Sequence, residues 1–489
     1  MKLSELLNKV HAIQVTGNAE LIEVKDVTID SRTVKGNSIF VAIKGYKTDG
    51  HRFILDSINK GASAIVLEDN YAVPDQIFSK SGLVKILVEN SRKALSELSN
   101  EFFVRPSEKL KVIGITGTKG KTTTAFYLKS ILEVSGEKCG LIGTINNYAG
   151  DKEVKARLTT PEANEINQMM QEMINADSKY CVMEVSSHSL LLDRVSDIDF
   201  DSAIFTNIAS DHLDFHKTFE NYRDAKKILF EQLKPEATAI YNIDDENATK
   251  VINGTKAKSF SFGTNLNAYY KLKNIQYDFS GTSFDLFYKE RKYSLETRLI
   301  GLFNAYNAAA AFAAATSLGI SIEQAIEGIA NTPQVPGRFE LIKIENKKVI
   351  IDYAHNASSL EQVLKSIHHI NKDGCSIHTV FGCGGDRDNT KRPVMGKIAD
   401  ELSDVIYVTS DNPRTEDPSK IIDDVVKGIS RKDYHRIENR EEAIKTAIEN
   451  SEENAVVLIA GKGHENYQEI NGIRKFFSDK ETAIKYLSA

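Results

Sequence analysis

The stretch from Gly114 to Ala125, GITGTKGKTTTA, constrains this chain more than any other. It follows the apolar pair Val112-Ile113 and runs into Phe126-Tyr127-Leu128-Lys129, so it reads as strand, glycine loop and helix. Gly114, Gly117 and Gly120 let the backbone turn tightly and bring its N–H groups up to an anion. The helix that follows points its positive end at the same place. Lys121 adds a charge for terminal phosphates, and Thr122 offers a hydroxyl suited to a phosphate-bound Mg²⁺. The strict spacing G-x-x-x-x-G-K-[ST] calls for glycine at position 115, where the chain has Ile115, so the loop here reads G-x-x-G-x-x-G-K-T. A nucleoside triphosphate is the ligand it implies, against the plainer reading of an ordinary glycine-rich turn.

A strand feeding such a loop needs a parallel sheet around it, and the chain has room for more than one. Its 489 residues suggest two to four domains at roughly 150 residues each. Hydrophobic residues at 41% and charged ones at 27% fit a globular chain, and a net charge of -6 argues against nucleic acid as a partner. No apolar run approaches the roughly 18 residues of a membrane span. The opening MKLSELLNKVHAI is interrupted by Glu5, Lys9 and His11, and reads as an amphipathic helix, not a signal peptide. Cys139, Cys181, Cys375 and Cys383 lack metal-ligand spacing and suit free thiols in a reducing cytoplasm.

The pattern divides into three parts. Residues 1–90 form a small α/β domain, with strands expected at 22–29, 38–43 and 64–67 and a helix at 53–60. Residues 91–336 repeat strand, loop and helix, with an antiparallel meander inserted over 258–300. Residues 337–489 begin with a hairpin and continue as a doubly wound, Rossmann-like α/β domain, with strands at 376–382, 404–410 and 455–460. Ligands of such sheets bind at the carboxyl ends of strands. The residues there are Gly143-Thr144, Thr159-Thr160, Ser186-Ser187-His188 and Asp211-His212 in the central part. In the last part they are Gly382 to Asp388, Asp411 to Arg414 and Gly461 to Glu465. Glu184 stands inside the apolar run CVMEV, where an unpaired carboxylate costs several kcal/mol. Either a salt bridge or a magnesium ion has to compensate it. His212 has several polar neighbours and reads as structural or functional. The run Gly382-Cys383-Gly384-Gly385 is an incomplete dinucleotide fingerprint.

Taken together, GITGTKGKTTTA, LTTPEA, MEVSSHSL, TNIASDHLDFH, GLFNAYNAAAA, PGRFE, DYAHNASSLE, FGCGGDRDNTKRPVMG, SDNPRTEDP and AGKGHENYQ resemble the Mur ligase family, in order along essentially the whole chain. Within it they resemble the members that add the third peptide residue to peptidoglycan precursors. The resemblance implies a cytoplasmic ATP-dependent ligase with an N-terminal domain for the UDP moiety, a central ATPase and a C-terminal domain for the incoming amino acid. It implies ATP at Gly114, Thr116, Gly117, Thr118, Lys119, Gly120, Lys121 and Thr122, with Asn304, Arg338, Asp352 and His355. It places two Mg²⁺ ions by Thr122, Glu184, His212 and Lys226, the last as a carbamylated lysine. From the residues alone, Lys226 is a solvated helix lysine. The UDP-linked dipeptide is expected at Ser31, Tyr46, Lys47, Thr48, Thr159, Thr160, Ser187 and Arg194. The amino acid is expected at Arg387, Asp411, Asn412, Pro413, Arg414, Gly461 and Glu465.

A guanidinium at Arg414 can grip a carboxylate with two parallel hydrogen bonds. Members that add lysine generally replace this arginine, so the motif points to meso-diaminopimelate, with lysine, lanthionine and the reaction of another Mur or folylpolyglutamate-type ligase as alternatives. A phosphate-loop switch without ligase activity is the alternative from another class. A monomer is expected. The chain departs from the family pattern at Leu192, where Gln is common, at Asp193, often His, and at Asn356-Ala357-Ser358, where Thr-Pro-Asp is usual.

Overall fold

The computed structural model describes residues 1–46, 48–150 and 152–488. The chain forms two compact units, Met1–Gly263 with Ala310–Ala325, and Thr264–Ala309 with the chain from Ile326 on.

In the first unit, the N-terminal five-stranded sheet has the spatial order Ala12–Thr16, Val84–Val88, Ala62–Leu67, Ser38–Val41, Asp26–Thr28. The first pair is antiparallel and the others are parallel. Two expectations change here. The opening helix covers only Leu3–Leu7, and the residues after it turn into the edge strand. Leu3 and Leu6 are buried at helical spacing, but from Ala12 on the segment pairs with Val84–Val88, far along the chain, and that pairing decides its conformation. The expected strand at 22–29 shrinks to Asp26–Thr28.

The central sheet runs in the order Lys258–Gly263, Thr238–Asn242, Ser202–Phe205, Lys111–Thr116, Tyr180–Glu184, Cys139–Ile142, all parallel, followed by the antiparallel Asn146–Ala149 and Lys152–Lys155. Lys111–Thr116 is first in sequence and lies in the middle, so connections leave it to both sides. Its carboxyl end is the topological switch point where open α/β sheets bind ligands. The helix Lys121–Val134 starts there, and its inner face (Ala125, Leu128, Ile131, Leu132) is fully buried.

In the second unit, a six-stranded sheet has the order Glu340–Ile344, Lys347–Asp352, Val456–Ala460, Ile377–Phe381, Val405–Val408, His435–Arg436. Only its first pair is antiparallel. The helices Ala357–Ile370, Lys391–Leu402 and Pro418–Val426 give their buried faces to one core of this sheet, and Arg440–Glu449 to another. The inserted meander is Tyr270–Asp278, Gly281–Tyr288 and Arg291–Thr297. Its Tyr277 stacks on His369, with ring centroids 4.3 Å apart. A separate hairpin, Tyr467–Ile470 with Ile473–Phe476, lies outside the expected elements and bears on the site. Mixed α/β layers with parallel-dominated sheets are the expected fold class.

Candidate active site

In the first unit the groups converge on the carboxyl ends of the central strands. The phosphate loop is held by Asn207, whose carbonyl accepts from Thr118 N–H at 2.9 Å and whose Oδ1 accepts from Lys119 N–H at 3.0 Å. Gly117 has φ +150°, and a Cβ there would stand 1.9 Å from Thr206 Oγ1, so the loop can take its path only with glycine. Gly120, at φ 86°, caps the helix that opens with Lys121 and Thr122. Lys121 Nζ folds back over the loop and donates to the carbonyls of Gly117 and Thr118 at 2.8 and 3.1 Å. Thr118 Oγ1 lies 3.0 Å from Tyr222 Oη. Gly114 and Thr116 belong to the strand below, with the Thr116 side chain fully buried.

Glu184 is 1% exposed at the end of its strand, and neutral donors compensate it. Thr122 Oγ1 donates to Oε2 at 2.9 Å, Thr144 Oγ1 to Oε2 at 2.9 Å and Thr144 N–H to Oε1 at 2.8 Å. Among the described residues no salt bridge forms on this carboxylate. Thr144 Oγ1 also lies 3.2 Å from Thr159 Oγ1. Thr160 Oγ1 donates to the Glu184 carbonyl at 2.8 Å, and the Thr160 carbonyl accepts from Arg194 at 3.0 Å. Arg194 is paired with Glu162 at 2.6 Å. Ser187 Oγ meets His216 Nε2 at 2.9 Å.

Three histidines line the adjoining wall. His188 packs edge-on to His212 at 4.9 Å and to His216 at 5.4 Å, and Phe215 lies 4.2 Å from His188. Burial, then the charge of neighbouring histidines, pushes His188 down to about 4. Burial, then His212 and Lys226, does the same for His216. His212 has a left-handed backbone, φ 53°, and is also lowered by burial. Lys226 is 1% exposed on the helix Phe219–Glu231, which corrects its reading as a solvated lysine. Its Nζ donates to the Gly117 carbonyl at 3.1 Å and lies 4.4 Å over the Tyr222 ring. Desolvation, helped by the charge of Lys121, lowers its pKa well below the ordinary value. Tyr46 is exposed and packs edge-on to Phe215 at 5.4 Å. Thr48 closes a tight turn by accepting from Gly45 N–H, and Ser31 is buried with its carbonyl bonded to Lys60. Lys47 lies outside the described residues.

In the second unit Tyr353 joins two groups. Arg338 lies 4.8 Å over its ring and His355 packs edge-on to it at 4.7 Å, while Tyr353 Oη donates to Glu465 at 3.4 Å. Asp352 accepts from Phe339 N–H at 2.7 Å. Asn304 is buried, with its amide spent on the Ile300 carbonyl and on Asn307. Asn412 Nδ2 donates to Glu465 Oε2 at 2.9 Å. Arg414 has φ 54°, an uncommon backbone for a residue with a side chain. The hairpin holds it: Arg414 N–H donates to the Glu469 carbonyl at 3.0 Å, and its own carbonyl accepts from Asn471 N–H at 2.7 Å. Arg414 Nη1 donates to the Gly385 carbonyl at 2.6 Å, and a Cβ at Gly385 would meet the Pro413 carbonyl at 2.0 Å. The glycine run therefore makes room for the 411–414 loop, which accounts for it without a dinucleotide. Arg387 is exposed.

Three family models match the chain in sequence order: the Mur ligase family catalytic domain over residues 23–103, the Mur ligase middle domain over 115–315, and the Mur ligase glutamate ligase domain over 337–463. The chain is 42% identical over 484 residues to the UDP-N-acetylmuramoyl-L-alanyl-D-glutamate--2,6-diaminopimelate ligase of Clostridium tetani, with 98% of each chain covered. The chain belongs to the Mur ligase family. It is 43% identical to ligase 1 of that name from Clostridium acetobutylicum, over 100% of this chain and 99% of the other. A solved structure of a ligase of that name superposes with a TM-score of 0.71 at 30% identity, covering 100% of this chain and 99% of that one.

For a Mur ligase, the donor chemistry can be tested against Mg²⁺. Thr122 and Glu184 supply hard oxygens, which suit it. Among the described residues no three His, Cys, Asp or Glu side chains converge as a cage, so phosphate oxygens would have to complete the shell. An amine at Lys226 is no magnesium ligand; only a carbamate there fits. Gln468, whose Nε2 donates to the Asp411 carbonyl at 2.8 Å, and the Arg440–Asp479 pair escape the sequence reading, and Lys462 is given no role in it although it lies in the run Gly461 to Glu465. A lysine set between two glycines just past the buried strand Val456–Ala460 is the signal that could have raised Lys462. No helix among the described residues is long and apolar enough to cross a membrane.

Proposed function

We propose that this Mur ligase joins meso-diaminopimelate to the D-glutamyl γ-carboxylate of UDP-N-acetylmuramoyl-L-alanyl-D-glutamate, using ATP. The observation that carries the reading is the end-to-end match, at 42% identity, to a ligase of that name. The pocket chemistry supports it, since Arg414 offers a guanidinium for a carboxylate and Glu465 and Asp411 offer carboxylates for an ammonium.

In this reading the loop from Gly114 to Thr122 holds the ATP phosphates, and Lys121 leaves its carbonyl contacts to meet the β and γ oxygens. Transfer of the γ-phosphoryl group to the glutamyl carboxylate releases ADP and leaves an acyl phosphate. The amine of diaminopimelate attacks the acyl carbon, the C–O bond to phosphate breaks with its electron pair, and the ammonium proton is lost. This chemistry depends on positioning and charge neutralisation. Bound Mg²⁺, held by Thr122 and Glu184 and by His212 with Lys226, would neutralise phosphate charge. Thr159, Thr160, Ser187 and Arg194 orient the muramoyl-dipeptide end, and Ser31, Tyr46, Lys47 and Thr48 the uridine end. Arg338, Asp352, His355 and Asn304 belong to the nucleotide.

Burial supports carbamylation of Lys226. Burial lowers the Lys226 pKa, which raises the share of the neutral amine, the form that adds CO₂. The carbamate converts a cation that repels Mg²⁺ into an anion that binds it. The test is amide formation from UDP-linked dipeptide, ATP and Mg²⁺ with diaminopimelate, L-lysine or lanthionine. Diaminopimelate is expected to give the highest kcat/KM, and a clear preference for L-lysine overturns the assignment.

A further inference from the structure

Beside the amino-acid pocket a lysine is buried completely. Lys462 follows the strand Val456–Ala460 in the turn Gly461-Lys462-Gly463 and has 0% exposure. The two glycines send it inward: both have positive φ, 120° and 51°. A Cβ at Gly461 would stand 2.5 Å from Asp411 Oδ2, and one at Gly463 would stand 2.8 Å from Tyr353 Cβ. The ammonium ends among the residues assigned to the amino acid. Its Nζ lies 3.1 Å from Asn412 Oδ1, 3.3 Å from Glu465 Oε2 and 3.9 Å from Asp411 Oδ1. The Tyr467 ring lies 5.3 Å below it.

These contacts set the direction of the pocket. Asn412 Oδ1 accepts from Lys462 and from Glu469 N–H at 3.0 Å, so the amide cannot flip, and Nδ2 must face Glu465. Glu465 Oε2 is then occupied by Asn412 and Lys462, whereas among the described residues Oε1 has only the long 3.4 Å contact with Tyr353. One carboxylate oxygen is left available, with its orientation fixed. The charge balance follows as well. Asp411 and Glu465 would repel each other and over-attract any cation if both stood uncompensated; Lys462 cancels one charge and leaves one.

We propose that Lys462 is a positioning residue of the amino-acid site, which fixes Asn412 and Glu465 so that Glu465 Oε1 meets an ammonium group of the substrate. Lys462 itself does not touch the substrate. The inference rests on the assignment of the Asp411–Arg414 and Glu465 pocket to diaminopimelate.

The test measures kcat and the KM of each substrate for the full-length enzyme, for K462M, for E465Q and for the double variant, with Tm recorded for each. K462M is expected to raise the KM for diaminopimelate about 10- to 100-fold, the scale of losing charge-assisted hydrogen bonds. The KM values for ATP and the UDP-linked dipeptide stay unchanged. Because Lys462 acts through Glu465, the double variant should match E465Q alone. A diaminopimelate KM for K462M within about twofold of wild type overturns the proposal, as does a parallel rise of all three KM values. If K462M does not fold, the charge-balanced double variant decides: a further rise of about tenfold over E465Q overturns it. Should E465Q and R414A both leave the diaminopimelate KM unchanged, the pocket assignment fails too, which separates the two failures.

Discussion

The Thr122 hydroxyl donates to Glu184 Oε2 at 2.9 Å, tying the first turn of the phosphate-loop helix to the end of the neighbouring strand. The partners of the Glu184 carboxylate are hydroxyl and backbone N–H donors, and among the described residues no cation pairs with it. Local hydrogen bonding would be served equally by an amide; charge for a metal would not.

Glu184→Gln is therefore expected to fold with little loss, since the amide oxygen can accept from Thr144 N–H while its NH₂ donates to the Thr122 and Thr144 hydroxyls. Its kcat/KM should fall by about 100-fold or more, on the scale of removing one electrostatic stabiliser from a transition state. The concentration of Mg²⁺ needed for half-maximal rate should rise as well. Steady-state kinetics across a Mg²⁺ titration measures both, and an unchanged Mg²⁺ dependence would remove Glu184 from the metal site.

Lys226 offers a chemical handle. Burial and the nearby charge of Lys121 lower its pKa and so favour the neutral amine, the form that adds CO₂. Enzyme dialysed into CO₂-free buffer should lose activity, and bicarbonate should restore it. Mass spectrometry of the intact protein should show one added CO₂ in the active form only. K226A should be inactive and should not respond to bicarbonate. Full activity in K226A would exclude the residue from the reaction.

The histidine cluster predicts how stability depends on pH. His188 and His216 sit at about 4 in the fold, below the ordinary value of 6.5. The unfolded chain therefore takes up protons first as pH falls, and proton uptake favours the state that binds more. The contribution of neutral burial is complete above 6.5 and is lost as pH falls from 6.5 toward 4. Melting temperatures of the metal-free protein should drop across that window. His188→Asn removes one titrating group and should make the drop shallower than in wild type; an equal slope in both proteins would contradict the packing argument.

How far such features can be read from sequence depends on the distance over which their cause acts. Glu184 is legible because a carboxylate inside CVMEV needs compensation wherever the chain goes, although Thr144, and not a cation, supplies much of it. The phosphate loop is legible because its glycines act on neighbouring backbone. The N-terminal edge strand is not, since Leu3 and Leu6 have helical spacing and only the remote Val84–Val88 makes Ala12–Thr16 a strand. Lys226 looks like any lysine on an amphipathic helix until Gly117 and Tyr222 close over it; the family resemblance singles it out, not its spacing. Lys462 is hidden for the same reason, because its partners at Asp411 and Asn412 come from a different strand end.

The deepest ion pair in the second unit bears on the same pocket. Arg440 and Asp479 are both 0% exposed, with Nε to Oδ1 at 2.7 Å and Nη2 to Oδ2 at 2.8 Å. Arg440 Nη2 also donates to the Ala460 carbonyl at 3.0 Å, one residue before the Gly461-Lys462-Gly463 turn. Removing one partner leaves the other charge buried and uncompensated, a cost of about 3–5 kcal/mol. Asp479→Asn should lose stability on that scale in urea unfolding. The apolar double variant R440M/D479L should lose less than the sum of the two single variants, because it strands no charge. The pair also anchors the strand end that carries Lys462, so folded Asp479→Asn should show a raised KM for diaminopimelate with the KM for ATP unchanged. A stability loss in Asp479→Asn below about 1 kcal/mol would mean that the buried guanidinium finds compensation elsewhere, and the anchoring role would go with it.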